Sequence, residues 1–461
     1  MDTPIVDFVR GYAQSGTSRL HMPGHKGRSL LGFEPLDLTE IRGADELYEP
    51  EGIIAQSEAN ATRLFGTQHT YYSTEGSSQC IRAMLCLALQ AAPRTGKRPV
   101  LLAARNAHKA LLYAAALLDF DIRWLWPAAE NAGALCSCPI SAQMLTTALQ
   151  ELIGQGSTPF GVYVTSPDVC DTFGMPLLVD NAHGAYLRFL PGEPLHPIAL
   201  GAAMCCDSAH KTLPVVTGGA YLHLGENAPV QEEAAVRGAL ALFGSTSPSY
   251  LILQSLDACN RQLTESYPAG LQRCCSRLAA LRGELNAAAQ AAGCPVPLAL
   301  DGPGREPLKL TLDAAALGMT GTALADALRG GQLECEYADP RYVVLMFTPC
   351  NPPQDYARLR TVLRQCLHGL PAAGRLLQPE ELAGEFVALA QQARAHCTIR
   401  QAVFAPQERI PVQQALGRIC AMPTVSCPPA IPIAVSGEEI TPAALELMQR
   451  YGVTEVSVLR R

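Results

Sequence analysis

Between residues 99 and 224, short apolar runs alternate with helical stretches, and this alternation limits the fold more than any other feature of the chain. The runs are Pro99–Ala103, Ile122–Leu125, Gly161–Thr165, Leu177–Asp180, Ala202–Cys206 and Ala220–Leu224. Helices are predicted over His108–Leu118 and from a Ser141 cap to about Ile153. Unbroken apolar character over four or five residues marks strands buried on both faces, and strands alternating with helices predict an α/β fold with a mostly parallel sheet. Ligands of such sheets gather beyond the carboxyl ends of the strands. His108, Ser166, Asp180 and Lys211 all fall just past such ends.

Two of those ends carry chemistry. One apolar run leads into Asp207-Ser208, then His210-Lys211. A lysine past the end of a buried strand is partly desolvated, which lowers its pKa and frees its lone pair for attack on a carbonyl. About thirty residues upstream, the Leu177–Asp180 run ends in a carboxylate, and His183 follows. A third group lies earlier. Gly76-Ser77-Ser78 opens a helix predicted over Gln79–Ala92, and a helix N-terminus with hydroxyls is a ready phosphate cradle. Each residue also has an ordinary reading. Lys211 reads equally as a surface lysine, Asp180 as a helix cap, and His108 and His183 as core histidines. Thr246 and Ser247 suit helix caps, and HMPGHKG (21–27) suits a solvated loop. Together, though, these groups meet the four needs of pyridoxal phosphate: an imine lysine, a ring-nitrogen carboxylate, a ring contact and a phosphate site.

The remaining chain divides by pattern. Residues 1–50 read as an irregular N-terminal arm, and 51–265 as the large cofactor-binding domain. Within the latter, apolar spacing predicts helices ending at Phe65, over Pro229–Leu242, and onward from FGSTSPSY (243–250) to about Leu263. Residues 266–370 read as a small α/β domain: a helix to about Ala292, strands Leu308–Leu312 and Tyr342–Thr348, and a helix at Thr322–Arg329. Gly369–Arg375 reads as a linker inside a C-terminal α/β domain over 371–461, with helices Pro379–Ala395 and Thr441–Tyr451 and a final strand Val453–Leu459. A formal charge of −7 with no basic block argues against nucleic acid or an anionic membrane as partner. The longest apolar helical run, Ala110–Leu118, is too short to span a bilayer. Seventeen cysteines without a CxxC pair or a secretory leader read as reduced thiols of a cytoplasmic protein, with no zinc site.

At this point the chain resembles the Orn/Lys/Arg decarboxylases. The markers run in order along nearly the whole length: HMPGHKG (21–27), YSTEGSS (72–78), RNAHKA (105–110), LLVDNAHGAY (177–186), DSAHKTLP (207–214), STSPSY (245–250), EYADPRYVVLMFTP (336–349) and CPPAIP (427–432). The resemblance implies the aspartate-aminotransferase fold (fold type I) and decarboxylation of arginine, lysine or ornithine for polyamine biosynthesis. It implies that Lys211 holds pyridoxal phosphate as an imine, Asp180 pairs with the ring nitrogen, His108 stacks on the ring and His183 lies near the ring oxygen. Ser77, Ser78 and Ser208 would contact the phosphate, Thr246 would reach it from a second subunit of a homodimer or larger oligomer, and His210 would assist proton transfer. The N-terminal wing domain of the long family members has no counterpart, which suggests the shorter biosynthetic form.

One connection departs from the pattern. A parallel crossover needs a dozen or more residues, usually with a helix, yet only Ser166–Pro176 separates the Thr165 and Leu177 runs. Either the two strands are not parallel neighbours or a crossover helix is missing. Ala430 is a smaller departure, at a position where the family has glycine. Two other readings therefore stand beside the decarboxylase: another fold-type-I activity such as aminotransfer or carbon–carbon lysis, and a catalytically impaired relative that binds partners. Glu336 and Asp339 are the acidic candidates for recognising the distal cation of a substrate.

Overall fold

The computed structural model describes residues 1–127, 138–165, 175–302, 306–368, 379–423 and 431–461. The first part of the chain forms helices α1 (Pro4–Gln14), α2 (Ile53–Phe65), α3 (Ser77–Ala91), α4 (Lys109–Leu118), α5 (Ala142–Gly154), α6 (Ala209–Thr212), α7 (Glu233–Leu242), α8 (Tyr250–Thr264) and α9 (Tyr267–Ala291). Interleaved with them are strands β1 (His69–Ser73), β2 (Val100–Ala104), β3 (Asp121–Leu125), β4 (Val162–Thr165), β5 (Leu177–Asp180), β6 (Met204–Asp207) and β7 (Ala220–Leu224). These build a seven-stranded sheet in the order β1-β7-β6-β5-β4-β2-β3. Strands β3, β2, β4, β5 and β6 run parallel, and β7 lies antiparallel between β6 and β1.

The apolar runs are explained by what covers each face. Successive side chains point to opposite faces. Leu101, Ala103, Tyr163, Leu178, Met204 and Cys206 pack with α3 and α4 residues such as Met84 and Leu111. The alternate residues Leu102, Val162, Val164, Leu177, Val179 and Cys205 pack instead with Ile433, Ile440, Leu447 and Val458 from the C-terminal part of the chain. Both faces are therefore dry, and neither position of the two-residue period tolerates a polar side chain without a partner.

Strands β4 and β5 are parallel neighbours, paired from Val162 with Leu177 to Thr165 with Asp180. Of the two alternatives left by the sequence, this excludes the first. The connecting residues 166–174, with the candidate Ser166, lie outside the described residues. Chain length is sufficient: at roughly 3.3–3.6 Å per extended residue, 166–176 reaches well beyond the length of a four-residue strand. The expected linker at 369–375 and the CPPA of CPPAIP, with the Ala430 departure, also lie outside the described residues.

Two sheets follow. Strands β8 (Lys309–Asp313), β9 (Tyr337–Ala338) and β10 (Tyr342–Met346) form an antiparallel sheet in the order β8-β10-β9, beside helices α10 (Gly321–Gly330) and α11 (Pro353–His368). Helices α12 (Pro379–Gln392), α13 (Ile399–Phe404) and α14 (Pro442–Arg450) accompany an antiparallel pair, β11 (Gln407–Pro411) with β12 (Glu455–Leu459). No described helix is long and apolar enough to cross a membrane.

One expectation fails, and one strand went unpredicted. The arm is not irregular at its start. Pro4 occupies the first turn of α1, Ile5, Val6 and Val9 are buried, and the Ile5 and Val6 amides donate to Asp257 Oδ2 at 3.0 Å each. That cap comes from 250 residues away, so no local signal announces it. Strand β1 is hidden because His-Thr-Tyr-Tyr-Ser is polar, although four of its five residues are buried. Three of their hydroxyls are paired, Thr70 with His223, Tyr72 with Ser57 and, locally, Ser73 with Gln79, while the Tyr71 ring lies under the Arg237 guanidinium.

Burial raises the pKa of Asp257 to about 6, and its Ser57, Val6 and Ile5 donors only partly offset this. The folded state thus binds this proton more tightly than the unfolded chain, where the value is 3.8. The resulting stabilisation is complete below the unfolded pKa and is lost as pH rises through about 6. Asp257→Ala also leaves two helix-terminal amides unpaired, while the Ser57 hydroxyl retains Tyr72. Urea titrations of this variant should show a loss of about 1–3 kcal/mol and a flatter pH dependence between these two pKa values; an unchanged midpoint would show that α1 needs no such cap.

Candidate active site

The site lies where β5, β6 and the N-termini of α3 and α4 converge. Asp180 ends β5 with only 2 % exposure, and the Tyr163 hydroxyl on β4 donates to its Oδ2 at 3.0 Å. The Cys206 thiol approaches Oδ1 at 3.7 Å. Lys211 follows β6 in the short helix α6, and its Nζ lies 3.1 Å from His183 Nε2. Burial pushes the Lys211 amine below the ordinary lysine value, while the Asp180 and Glu336 carboxylates offset part of that effect. Burial also holds His183 well below the ordinary histidine value, with the Lys309 and Lys211 charges acting in the same direction. His183 is thus neutral at pH 7. The lysine ammonium donates to Nε2, which leaves the ring proton on Nδ1, a buried atom with no protein partner.

His108 reaches the site as the N-cap of α4, where its Nδ1 accepts from the Ala110 amide at 3.2 Å. Burial lowers its pKa; Asp180 opposes this and Lys211 reinforces it. At α3, Gly76 adopts a φ of 69°, and its amide donates to the Gly218 carbonyl at 2.8 Å. Ser77 and Ser78 follow in the first turn, half-buried, and Ser208 Oγ bonds Ser77 Oγ at 2.8 Å. Gly218 has a φ of 100°, and a Cβ there would meet the Thr74 carbonyl at 3.1 Å. The loop after Lys211 and the turn before α3 thus approach backbone to backbone, and this approach sets the cradle beside the lysine.

Of the residues expected from the sequence, Lys211, Asp180, His183, His108, Ser77, Ser78 and Ser208 converge. His210 faces the backbone: its Nδ1 donates to the Gly219 carbonyl at 3.1 Å, which leaves Nε2 for proton exchange. Thr246 is exposed in the segment before α8 and has no hydrogen bond to the Lys211 group. Asp339 is corrected as a substrate contact. Its carboxylate accepts from the Arg341 and Tyr342 amides and the Tyr337 hydroxyl, and so it closes its own turn. Glu336 is exposed and acts on Lys211.

Sequence reasoning missed Tyr163, which sits opposite Leu178 on β5 and reaches Asp180 two residues further along the same face, a placement that follows only from the β4–β5 register. It also missed a fully buried group behind the site, where His196, Cys205, Asp207 and His223 place their donor atoms within 4.8 Å of one another. Both imidazole Nε2 atoms donate to Asp207 Oδ2, at 3.0 and 3.1 Å, and Asn181 Nδ2 donates to Oδ1 at 2.7 Å. Burial alone would raise the Asp207 pKa, but the two imidazoles outweigh it and hold the carboxyl well below the usual range. Asp207 is thereby anchored as an anion one residue before Ser208.

The Lys211 electrostatics set a measurable sign. Removing the Asp180 charge removes a term that favours the ammonium, so the amine loses its proton at lower pH. Cofactor-free Asp180→Asn protein should therefore show Lys211 acylation rising at lower pH than the parent protein, followed by mass mapping across a pH series; a shift to higher pH would contradict the assignment.

Comparison with known proteins agrees with this geometry. Residues 3–355 match the family model described as Orn/Lys/Arg decarboxylase, major domain, and residues 382–453 match its C-terminal domain. The chain is 29% identical over 467 residues to an arginine decarboxylase of Bacillus subtilis, covering 95% of this chain and 91% of that one. It is 26% identical over 469 residues to an arginine decarboxylase of Halalkalibacterium halodurans, covering 96% and 92%. Its fold is similar to the constitutive lysine decarboxylase of E. coli, with a TM-score of 0.76 at 18% identity over 100% of this chain and 82% of that one. The fold is accordingly that of the type I pyridoxal-phosphate enzymes, and the chain belongs to the Orn/Lys/Arg decarboxylase family, whose members are decarboxylases that use pyridoxal phosphate.

Proposed function

We propose that this enzyme removes the α-carboxylate of a basic amino acid and releases the corresponding amine, a polyamine precursor. Arginine is the first candidate, because relatives named arginine decarboxylase align over nearly the whole chain. Lysine and ornithine are the alternatives. The observation that carries the reading is the lysine itself: an amine lowered by burial, 3.1 Å from a neutral histidine and in the field of a buried carboxylate.

The residues present fit pyridoxal phosphate. The first turn of α3 presents the Ser77 and Ser78 hydroxyls at a helix N-terminus, Ser208 stands against Ser77, and the buried Nδ1 of His183 faces no partner among the described residues. When bound, the cofactor supplies a conjugated cationic ring that accepts the electron pair left when carbon dioxide departs. The chain's own groups do the rest. Lys211 would hold the cofactor covalently. Asp180, oriented by the Tyr163 hydroxyl, would pair with the ring nitrogen. His108, whose pKa is lowered by burial, would lie on the ring face without adding positive charge. His183 would donate toward the ring oxygen, and Ser77, Ser78 and Ser208 would hold the phosphate. Lys211 or His210, through Nε2, would return a proton to the substrate α carbon. Glu336, exposed and with its charge felt at Lys211, is the candidate for the distal cation.

The same reading includes a homodimer or larger oligomer with Thr246 entering the site of a second copy. Leu20, Met22, Leu30 and Leu31 support this: they are 94%, 64%, 84% and 78% exposed in a single chain, a stretch of apolar surface suited to a like partner. We also divide the chain into an arm over 1–50, a large domain over 51–265, a small domain over 266–370 and a C-terminal domain over 371–461. The impaired-relative reading rests on the short 166–176 connection. The in-register pairing of β5, which leaves Asp180 beside Tyr163, counts against it.

Purified protein with added pyridoxal phosphate should show a visible absorbance band that borohydride traps on Lys211, and Lys211→Ala should show neither. Carbon dioxide release should be observed with at least one of arginine, lysine and ornithine; amino transfer to a keto acid without it would favour the aminotransferase. Asp180→Asn should lower kcat by about 10²–10³-fold with KM little changed, and a loss confined to KM would assign Asp180 to binding.

A further inference from the structure

The loop that delivers His108 is gripped from the far end of the chain. Residues 105–107 join β2 to α4 and are buried throughout. Arg105 is the largest fully buried side chain among the described residues. Its guanidinium makes a two-pronged pair with Glu438, Nη1 to Oε1 and Nη2 to Oε2 at 2.7 Å each, and Nη2 also donates to the Pro432 carbonyl at 3.2 Å. Glu438 is held in turn, because the Val435 amide donates to Oε2 at 3.0 Å and the Cys420 amide donates to the Glu438 carbonyl at 2.8 Å. The chain's two tryptophans, Trp124 and Trp126, lie against the guanidinium at 4.8 and 4.5 Å. The loop backbone is fastened as well, by Arg105 N to the Leu125 carbonyl and by Thr165 Oγ1 to the Asn106 carbonyl. Only Asn106 and Ala107 separate Arg105 from His108.

We infer that Glu438, in the C-terminal part of the chain, is a positioning residue for His108 and acts through Arg105; this rests on the reading of His108 as the residue stacked on the cofactor ring. A paired Arg–carboxylate fork fixes both distance and angle, which a single charge does not. Among the described residues the fork is the one charged anchor of this loop, the other two being single hydrogen bonds to its backbone. The C-terminal part touches α4 at its other end too, where Arg400 Nη1 donates to the Ala116 carbonyl at 2.7 Å. That contact is distant from His108 and provides a matched control.

The test uses the full-length protein. Glu438→Gln keeps the shape of the clamp and removes its charge. Because it leaves a buried guanidinium without a counter-ion, it is paired with the double variant Arg105→Met/Glu438→Leu, which fills the volume without an unpaired charge. Tryptophan emission reports the clamp directly, since both indoles sit on it. Before cofactor is added, mass-mapped diethylpyrocarbonate modification should show His108 reacting about tenfold faster in both variants. With pyridoxal phosphate and substrate, kcat should fall by about 10–100-fold while KM changes little. Arg400→Ala should leave both readouts unchanged. A clamp variant that lowers thermal stability but keeps the parent His108 reactivity and kcat would reduce Glu438 to a fold-stabilising role and overturn the inference. The functional reading fails separately, if borohydride traps no cofactor on Lys211 of the parent protein; the His108 reactivity still decides the positioning claim in that case.

Discussion

Two carboxylates end adjacent strands out of reach of water, and the site depends on how each is kept charged. Asp180 on β5 and Asp207 on β6 are 2% and 0% exposed. An unpaired carboxylate so placed would take up a proton rather than stay ionised. Asp207 is held by two imidazoles and an amide, all from its own side of the sheet. Asp180 accepts one hydroxyl from Tyr163, and its field reaches Lys211 and His108. Asp207 is fully paired behind the sheet. Asp180 is only partly paired and faces the cleft, which suits a group that pairs with a cationic ring nitrogen.

That arrangement needs both faces of the sheet to be dry, and two different parts of the chain dry them. Helices α3 and α4 cover one face, and the C-terminal part covers the other. The helices on the first face also carry the chemistry at their N-termini, Ser77 and Ser78 on α3 and His108 on α4. The covering layer and the active layer are therefore the same elements. Their positions are set by packing against strands, which transmits small displacements because close-packed interiors have little slack.

Much of the parallel sheet was legible in the sequence, because strands buried on both faces leave an apolar run that is hard to mistake. The apolar part of β5 and β6 and the carboxylates that end them are local facts. So is the lysine placed just beyond. Strand β1 was not legible, since its polar residues are buried by neighbours that include His223, about 150 positions from Thr70, and α1 was not, since its cap comes from Asp257. The 166–176 connection shows the limit from the other side. Its shortness was visible and raised two alternatives, and only the register between Val162 and Leu177 decided between them.

The sequence by itself determined the apolar strands of the parallel sheet, their alternation with helices and the identity of the groups at the strand ends, because periodicity and chain breaks act over a few residues. It determined the cofactor class too, through the combination of Lys211, Asp180 and the Gly76-Ser77-Ser78 turn. The tertiary structure alone decided what each group is paired with: Tyr163 with Asp180, His196 and His223 with Asp207, and Glu438 with Arg105 across 333 positions. Pairings of this kind depend on which strands become neighbours and which layer covers them, and no local pattern encodes that choice.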